Sequence, residues 1–293
     1  MLPAAADDAC VPAEGFTVVV AGVPEADVLR LADGRQVRLA GIATPRPLPA
    51  GQGQGAAPGE GAGQPISNTE DEDEGPDVPA DIARGFRGEA PGGPAPLAGE
   101  AATHTRLEAS RAALAALAEG RSAEVRPVGA APDRHGRIVA QVRVGGDWLQ
   151  ERLVARGLAR VVPAGREATC ARPLFAAEAA ARRARRGIWV EPSLAVRRAD
   201  DPGLAEAAGS YVLVEGRVLS TGRAGGRHYL NFGKDFRSDF TAIIEDKEVG
   251  RFVKAGFDPA RMRGREVRLR GWLTARDGGF LTLSVPEEIE WTQ

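Results

Sequence analysis

Aromatic and basic residues alternate in one short stretch of the second half of the chain. The stretch contains Phe232, Lys234, Phe236, Arg237 and Phe240. Aromatic rings stack on bases and cations neutralise phosphates, so this mixture could bind a single-stranded nucleic acid. Phe236 lies in a polar loop and is the better stacking candidate, whereas Phe232 and Phe240 are expected in the core. We therefore expect Lys234, Phe236 and Arg237 to contact such a ligand.

The cysteine and histidine residues lack the spacing of a metal or redox site. Cys10 and Cys170 are too far apart in sequence for a CxxC motif, which leaves a long-range disulfide or two buried thiols. His104 and His228 have no metal-ligand spacing with any Cys or His and are expected at the surface. The sequence also contains no glycine-rich phosphate loop, Ser/His/Asp set or Cys/His pair.

The first half of the chain predicts strands followed by a mixture of helices and strands. Three antiparallel strands are expected between Phe16 and Ile42, because short apolar runs alternate there and Asp33-Gly34 marks a hairpin turn. Helices are predicted from Thr103 to Gly120, after an N-cap at Asp147, and from Arg172 to Arg186. Strands are expected between these helices, around 125–128, 138–144 and 158–162.

The second half predicts five strands with one helix between the third and the fourth. The strands are expected at 212–218, 229–232, 240–244, 267–273 and 280–285, and the helix at 249–255. This order is typical of a small Greek-key OB-type barrel. We therefore divide the chain into an N-terminal segment (1–15), a first domain (16–190), a polar linker (191–208) and a second domain (209–293).

Length and composition fit a chain of two domains, each large enough to bury a core. At roughly 150 residues per domain, the chain corresponds to about two domains. Hydrophobic residues make up 43% of the sequence. Because no apolar run approaches the roughly 18 residues of a membrane span, we expect no contact with a membrane.

The formal net charge of −2 hides an uneven distribution. Between Arg46 and Ala102, ten acidic residues face three basic residues, a net charge of −7, so the remainder carries +5. Residues 46–100 are rich in Gly, Pro, Ala and acids and have almost no aliphatic periodicity. Such a segment cannot bury enough apolar surface to offset its ordering entropy, so we predict a disordered insertion at 46–100.

Several segments of the first half resemble the thermonuclease (staphylococcal nuclease-like) family. Residues 25–31 stand where that family has an Asp-Gly-Asp-Thr strand, and 37–45 resemble its Val-Arg-Leu-x-Gly-Ile-Asp-Thr-Pro-Glu box. Residues 133–137 resemble its Asp-Arg/Lys-Tyr-Gly-Arg turn, and 177–189 are similar to its last helix and Gly-x-Trp close. The resemblance implies an α+β fold, a β-barrel of the OB type with packed helices.

The second half resembles, over a shorter match, the small OB-like module that follows degenerate thermonuclease domains in some bacterial proteins. The similar stretches are 229–233 and 268–272. The whole chain is therefore expected to form a staphylococcal nuclease-like OB-fold domain followed by a second small OB-like β-barrel.

The resemblance also implies roles for individual residues, because the family cleaves phosphodiester bonds in DNA and RNA with bound calcium. Arg38 and Arg137 match two arginines that clamp the phosphoryl oxygens and stabilise the charge that nucleophilic attack builds. Asp27 matches a calcium carboxylate, and Thr44 matches the residue whose backbone carbonyl binds the ion. His135 replaces a tyrosine of the family's turn and can stack on a base.

Two positions depart from the family's pattern. Ala43 stands where the family has its second calcium carboxylate, and Arg46 stands where it has the glutamate base. A missing carboxylate weakens a site that depends on hard oxygen ligands, and Arg46 adds a repelling cation. Glu25, two residues before Asp27 and so on the same strand face, could supply a substitute oxygen. Calcium binding therefore stays open.

Three functions follow from these residues. The first is binding of single-stranded DNA or RNA with weakened or lost hydrolysis, the second is calcium-dependent nuclease activity, and the third is a protein-interaction scaffold without a nucleic-acid ligand. No signal peptide is visible, but Leu-Pro-Ala-Ala-Ala before an acidic pair fits the start of a processed chain. A periplasmic or secreted location and a cytoplasmic one both stay open.

Overall fold

The computed structural model describes residues 14–44, 98–235, 238–275 and 278–292. Within these ranges the chain forms four α-helices and two larger β-sheets, one in each half. The predicted insertion at 46–100 lies outside the described residues except for its last three, which begin the first helix. None of the described helices is both long and apolar enough to cross a membrane.

The first half contains eight strands and three α-helices within the described residues. In chain order they are β1 (Phe16–Glu25), β2 (Val28–Leu31), β3 (Gln36–Leu39), β4 (Ile42–Ala43), α1 (Ala98–Ala118), β5 (Ser122–Pro127), β6 (Ile138–Val144), β7 (Asp147–Trp148), α2 (Leu149–Ala155), β8 (Arg160–Val161) and α3 (Ala171–Arg183).

Five of these strands close into a barrel. β1 pairs antiparallel with β2 and β5, β2 with β3, and β5 with β6, while parallel pairing of β3 with β6 completes the circle. Alternate residues such as Leu29, Leu39 and Val142 point into a core that also takes Leu149 from α2 and Leu174 from α3. The β-barrel with packed helices is therefore confirmed.

The three strands expected before residue 43 are confirmed, but the N-cap predicted at Asp147 is wrong. Asp147 belongs to β7, which pairs with β6 across a two-glycine turn. The residue before α2 is Trp148, whose side chain makes no capping bond. The Asp147 carboxylate pairs with Arg152 instead. The strand pairing of Asp147 is what overrides its preference for a helix N-terminus.

The second half contains eight strands and one α-helix within the described residues. They are β9 (Arg197–Arg198), β10 (Tyr211–Arg217), β11 (Ser220–Ala224), β12 (Arg227–Asn231), β13 (Thr241–Glu245), α4 (Asp246–Lys254), β14 (Glu266–Ala275), β15 (Gly279–Leu283) and β16 (Ile289–Trp291).

This second sheet curls into a barrel-like module. Its strand order is β11-β12-β13-β15-β14-β10-β9, with β13 and β15 parallel and α4 between the third and fourth predicted strands. β10 and β11 are joined directly by Val218 and Leu219, so the sheet turns back on itself. Leu230, Leu269 and Leu281 fill its own apolar core. The second barrel-like module is therefore confirmed.

The segment predicted as a linker packs against the second sheet. Residues 191–208 form short 3₁₀ turns and β9, which pairs in parallel with β10. Leu204 is 2% exposed and lies in the second core. The segment is thus tied to the second module by both backbone pairing and apolar burial.

Candidate functional site

A tight turn between β5 and β6 is built around one carboxylate. Asp133 Oδ1 accepts the backbone N–H of His135 at 2.9 Å and that of Arg137 at 3.0 Å. Gly136 N–H donates to the Asp133 carbonyl at 2.9 Å, and Gly136 has φ of 74°, which glycine adopts without steric cost. The Asp133 side chain therefore fixes the path of the chain into β6.

Two guanidinium groups converge on the other oxygen of Asp133. Arg137 Nε donates to Asp133 Oδ2 at 2.8 Å, and Arg38 Nε lies 3.7 Å from the same oxygen. The parallel register of β3 and β6 produces this convergence, because it pairs Arg38 with Val139, two residues after Arg137. The structure thus brings together two arginines that are 99 residues apart in the sequence.

The same donors set the ionisation of Asp133. Burial alone would raise the pKa of this carboxyl group, but the N–H groups of Arg137 and His135 and the Arg137 guanidinium together hold its pKa below the usual value. Asp133 is therefore ionised at neutral pH and balances one of the two cations.

A second carboxylate, from the end of β1, lies beside Arg137. Glu25 Oε2 is 3.5 Å from Arg137 Nη1, and the Glu25 side chain is 51% exposed while that of Arg137 is 10% exposed. A long ion pair with an exposed partner contributes little, because water screens the attraction. A phosphate oxygen could therefore replace the Glu25 carboxylate at Arg137 at small cost.

The two residues predicted to bind calcium are both buried in the first domain. Asp27 is 3% exposed, and its carbonyl accepts the Leu39 N–H at 2.8 Å. Thr44 is 7% exposed, and its hydroxyl has no hydrogen-bond partner among the described residues. Ala43, the neighbour of Thr44, offers no side-chain oxygen.

These residues do not fit a calcium site. Calcium takes about six to eight oxygen ligands and favours several carboxylates. Asp27 supplies one carboxylate and Ala43 none, while Glu25 and Asp133 lie against guanidinium groups. In the part of the chain that the structure describes, no group of three or more His, Cys, Asp and Glu residues could hold a metal ion.

The predicted residues of the second half are only partly within the described ranges. Lys234 is exposed, in a loop where Asp235 N–H donates to Asp239 Oδ2 at 2.8 Å. Phe236 and Arg237 lie outside the described residues. Phe232 and Phe240 are buried with ring centroids 5.0 Å apart, so their expected place in the core is confirmed.

Two further predictions concern His135 and the cysteines. His135 is exposed, and its Nε2 accepts from Arg134 Nε at 3.1 Å. Cys170 is 1% exposed and lies in the first core. Cys10 lies outside the described residues, so a disulfide between Cys10 and Cys170 stays a prediction.

Comparison with known families finds a match to one segment of the chain. This segment includes the turn with Asp133 and the helices α2 and α3. Residues 100–191 match the model of the staphylococcal nuclease homologue family. This segment of the chain, about a third of its length, is similar to the thermonuclease-like family. Proteins of this family are nuclease-like, bind nucleic acids and are generally calcium-dependent. A search of curated proteins found no match.

The matched segment includes only some of the predicted site residues. Arg137, His135 and Asp133 lie within it, whereas Asp27, Arg38 and Thr44 precede it. The placement of Arg38 beside Arg137 therefore comes from the barrel's strand pairing alone.

Asp133 is the site residue that the sequence did not assign. It is the first residue of the 133–137 turn, and nothing in its spacing distinguishes a turn-forming aspartate from one that also orients two arginines. The distance to Arg38 depends on the parallel pairing of β3 with β6, which no local pattern encodes.

Proposed function

We propose that the thermonuclease-like domain binds nucleic acid by clamping phosphate between Arg38 and Arg137, with weakened or lost phosphodiester hydrolysis. The observation that carries the proposal is the convergence of both guanidinium groups on one oxygen of Asp133. Two planar guanidinium groups held this way can each donate to an anionic oxygen.

The burial of these arginines supports a binding role over an ordinary surface role. The side chain of Arg137 is 10% exposed and that of Arg38 is 22% exposed. Charged groups with so little water around them interact more strongly with an anion, since the local dielectric constant is lower. The exposed Glu25 carboxylate is the group that a phosphate would replace.

The absent carboxylate supports weakened hydrolysis. A phosphodiester resists attack because its own charge repels the nucleophile, and a hard divalent ion normally offsets that charge. Ala43 removes one oxygen ligand at the position where the family has a carboxylate, and Arg46 stands where the family has its base. Neither change affects phosphate binding by Arg38 and Arg137, whereas both changes weaken the activation of water.

The second module offers additional contacts in this proposal. Lys234 supplies an exposed cation. Phe236 supplies a ring that can stack on a base, and Arg237 a second cation for the phosphate backbone. His135, exposed in the same turn as Asp133, supplies a ring for stacking. The ligand class is single-stranded DNA or RNA.

The test is a salt titration of binding, with a labelled single-stranded oligonucleotide and fluorescence anisotropy in chelator. The wild-type protein should bind, with an affinity that falls as salt rises. Replacing both clamp residues, Arg38→Ala with Arg137→Ala, should weaken binding at least about tenfold. It should also reduce the salt slope by about 0.7, since neutralising one phosphate contributes roughly that much for single strands.

A second double variant controls for the loss of two positive charges. Arg35 and Arg126 lie on the same barrel and pair locally with Asp33 and Glu124. Arg35→Ala with Arg126→Ala should leave the affinity close to that of the wild type. Equal losses in both double variants would contradict the clamp, and absence of binding by the wild type would favour a scaffold role.

A further inference from the structure

The contact between the two halves of the chain is centred on one buried cation. Arg270, on β14 of the second module, is fully buried. Its Nη2 pairs with Glu178 on α3 at 3.0 Å and with Glu290 of β16. Its guanidinium carbon lies 4.2 Å from the ring centroid of Phe175, also on α3. Arg270 is therefore bound mainly to residues of the thermonuclease-like domain.

Arg270 and Glu178 together form hydrogen bonds with the backbone carbonyl and the backbone N–H of Val161 in β8. The Val161 N–H donates to Glu178 Oε1 at 2.7 Å. The Val161 carbonyl accepts from Arg270 Nη1 at 3.1 Å. Since Glu178 and Arg270 are also paired with each other, the three residues form a closed ring of hydrogen bonds across the two halves.

The strand held in this way pairs with the segment that leads to Thr44. Val161 pairs with Ile42 and Arg160 pairs with Ala43 between β8 and β4. The Val162 N–H donates to the Gly41 carbonyl at 2.9 Å. Residues 41–43 are thus paired with β8, a strand of only two residues whose Val161 also lies in the first core.

A second contact from the same strand also ends on the second module. Arg160 Nη1 donates to the carbonyl of Tyr211 on β10 at 2.8 Å, and its guanidinium carbon lies 4.8 Å from the Tyr211 ring centroid. Both residues of β8 therefore contact the second module, one through its backbone and one through its side chain.

We infer that the second module holds the β4–β8 pair of the first domain in place, with Arg270 as the positioning residue, and that it supports Arg38 through the two residues that join β3 to β4. The part of this inference that concerns ligand affinity rests on the proposed function, whereas the part that concerns the β4–β8 pair does not. The second module then acts as a support for the site in addition to any ligand contacts of its own.

The test compares two identical substitutions on the same strand. Arg270→Lys keeps the positive charge, but a single ammonium group cannot hold the Val161 carbonyl, Glu178 and the Phe175 ring together. Arg268→Lys is the control, because Arg268 Nε donates to Glu215 within the second module and Arg268 lies only 3.6 Å from Glu290, the carboxylate that it shares with Arg270. The readouts are amide hydrogen exchange at residues 161 and 162 and oligonucleotide affinity.

Arg270→Lys should speed exchange of the Val161 and Val162 amides by about tenfold or more and weaken oligonucleotide binding several-fold. Arg268→Lys should change neither readout. Unchanged exchange in folded Arg270→Lys, or equal acceleration by both variants, would overturn the inference. Faster exchange without any binding by the wild type would instead refute the proposed function and leave the positioning role standing.

A milder variant keeps the inference testable if Arg270→Lys fails to fold. Phe175→Leu removes the ring beneath Arg270 and leaves every charge in place. It should accelerate exchange at Val161 and Val162 in the same direction by a smaller factor. Exchange equal to that of the wild type in Phe175→Leu would overturn the inference.

Discussion

Asp133 shows how one side chain can serve both a turn and a site. One carboxylate oxygen accepts two backbone N–H groups and the other faces Arg137 and Arg38. Because the carboxylate has fixed geometry, the turn and the two guanidinium groups are held in one arrangement. In the proposed phosphate-binding role, the two guanidinium groups are therefore arranged before the ligand binds, which lowers the entropy cost of binding.

The sequence predicts Arg38 and Arg137 as site residues but does not predict the residues around them. Arg38 and Arg137 follow from motifs that each fit within a few residues, so their types and positions are readable. The ion pair of Arg137 with Asp133 is local, four residues apart. The contacts of Arg38 with Asp133 and of Arg137 with Glu25 depend on strands that meet only in the barrel. The calcium role expected of Asp27 depends on a partner carboxylate, and Ala43 already removes that partner in the sequence.

Glu25 provides the sharpest prediction for a single residue. Its carboxylate competes with an incoming phosphate at Arg137, so Glu25→Gln should raise affinity for a single-stranded oligonucleotide by about two- to fivefold at low salt. The measurement is fluorescence anisotropy in chelator at two salt concentrations. Glu14→Gln, at an exposed residue before β1, is the control for a general loss of negative charge. Weaker binding by Glu25→Gln would argue against this competition.

The helices α2 and α3 end against each other, and glycines make that contact possible. Gly187 has φ of 55° and follows α3. The Ile188 N–H donates to the carbonyl of Gly157, which follows α2, at 2.8 Å. A Cβ atom on Gly187 would collide with that same carbonyl oxygen. The position of α3, and so of Glu178, depends on this close approach.

Gly187→Ala should therefore destabilise the protein more than a glycine substitution in open space. Gly146→Ala is the matched control, because Gly146 has φ of 87° and a Cβ atom added there would have no neighbouring atom within 4 Å. We expect a loss of about 1 kcal/mol for the control. The Gly187 variant should lose roughly 2 kcal/mol more from the collision. Urea unfolding of both variants tests this, and equal losses would refute the packing argument.

Elements with strong apolar periodicity are predicted from the sequence, and polar ones are not. The strands β12 to β15 follow from alternating apolar residues, and α4 follows from its spacing. The strand β11 was missed, because Ser220–Ala224 is polar, exposed and contains a glycine. It forms only because β12 lies beside it and supplies a hydrogen-bonding edge.

Each half of the chain has one parallel strand pair, β3 with β6 and β13 with β15. The first pair closes its sheet into a barrel, whereas the second lies within an open sheet that has β11 and β9 at its edges. The two halves meet at a junction that buries both Arg270 and Glu178. Removing one partner of a buried ion pair strongly destabilises the fold, because it leaves an uncompensated buried charge. The sequence could not reveal this junction, since Arg270 is one of many arginines and lies 92 residues from Glu178.

The pH dependence of global stability should report on another buried acid of the second module. Burial raises the pKa of Glu288 to about 7, against the opposing effect of the Ser284 and Val285 N–H groups. Between about pH 4.3 and pH 7 the folded protein therefore holds a proton that the unfolded chain releases. Stability from this group is present at low pH and is lost as pH rises through about 7.

Glu288→Gln should remove the loss of stability at higher pH. It should also keep the turn at residues 284–288, because an amide oxygen can still accept hydrogen bonds from the Ser284 and Val285 N–H groups. The difference between wild type and variant in free energy of unfolding should change by about 3 kcal/mol between pH 5 and pH 8. Urea unfolding at matched ionic strength measures it. Parallel pH profiles for the two proteins would show that Glu288 titrates normally.

The most direct test of a binding protein with weakened hydrolysis is incubation of a labelled single-stranded DNA, and of the matching RNA, with calcium or with chelator. One gel then reports both retention and cleavage. We expect retention of uncut strands under both conditions, and loss of retention in the variant with Arg38→Ala and Arg137→Ala. Calcium-dependent cleavage that this double variant lacks would contradict the account and establish a working nuclease.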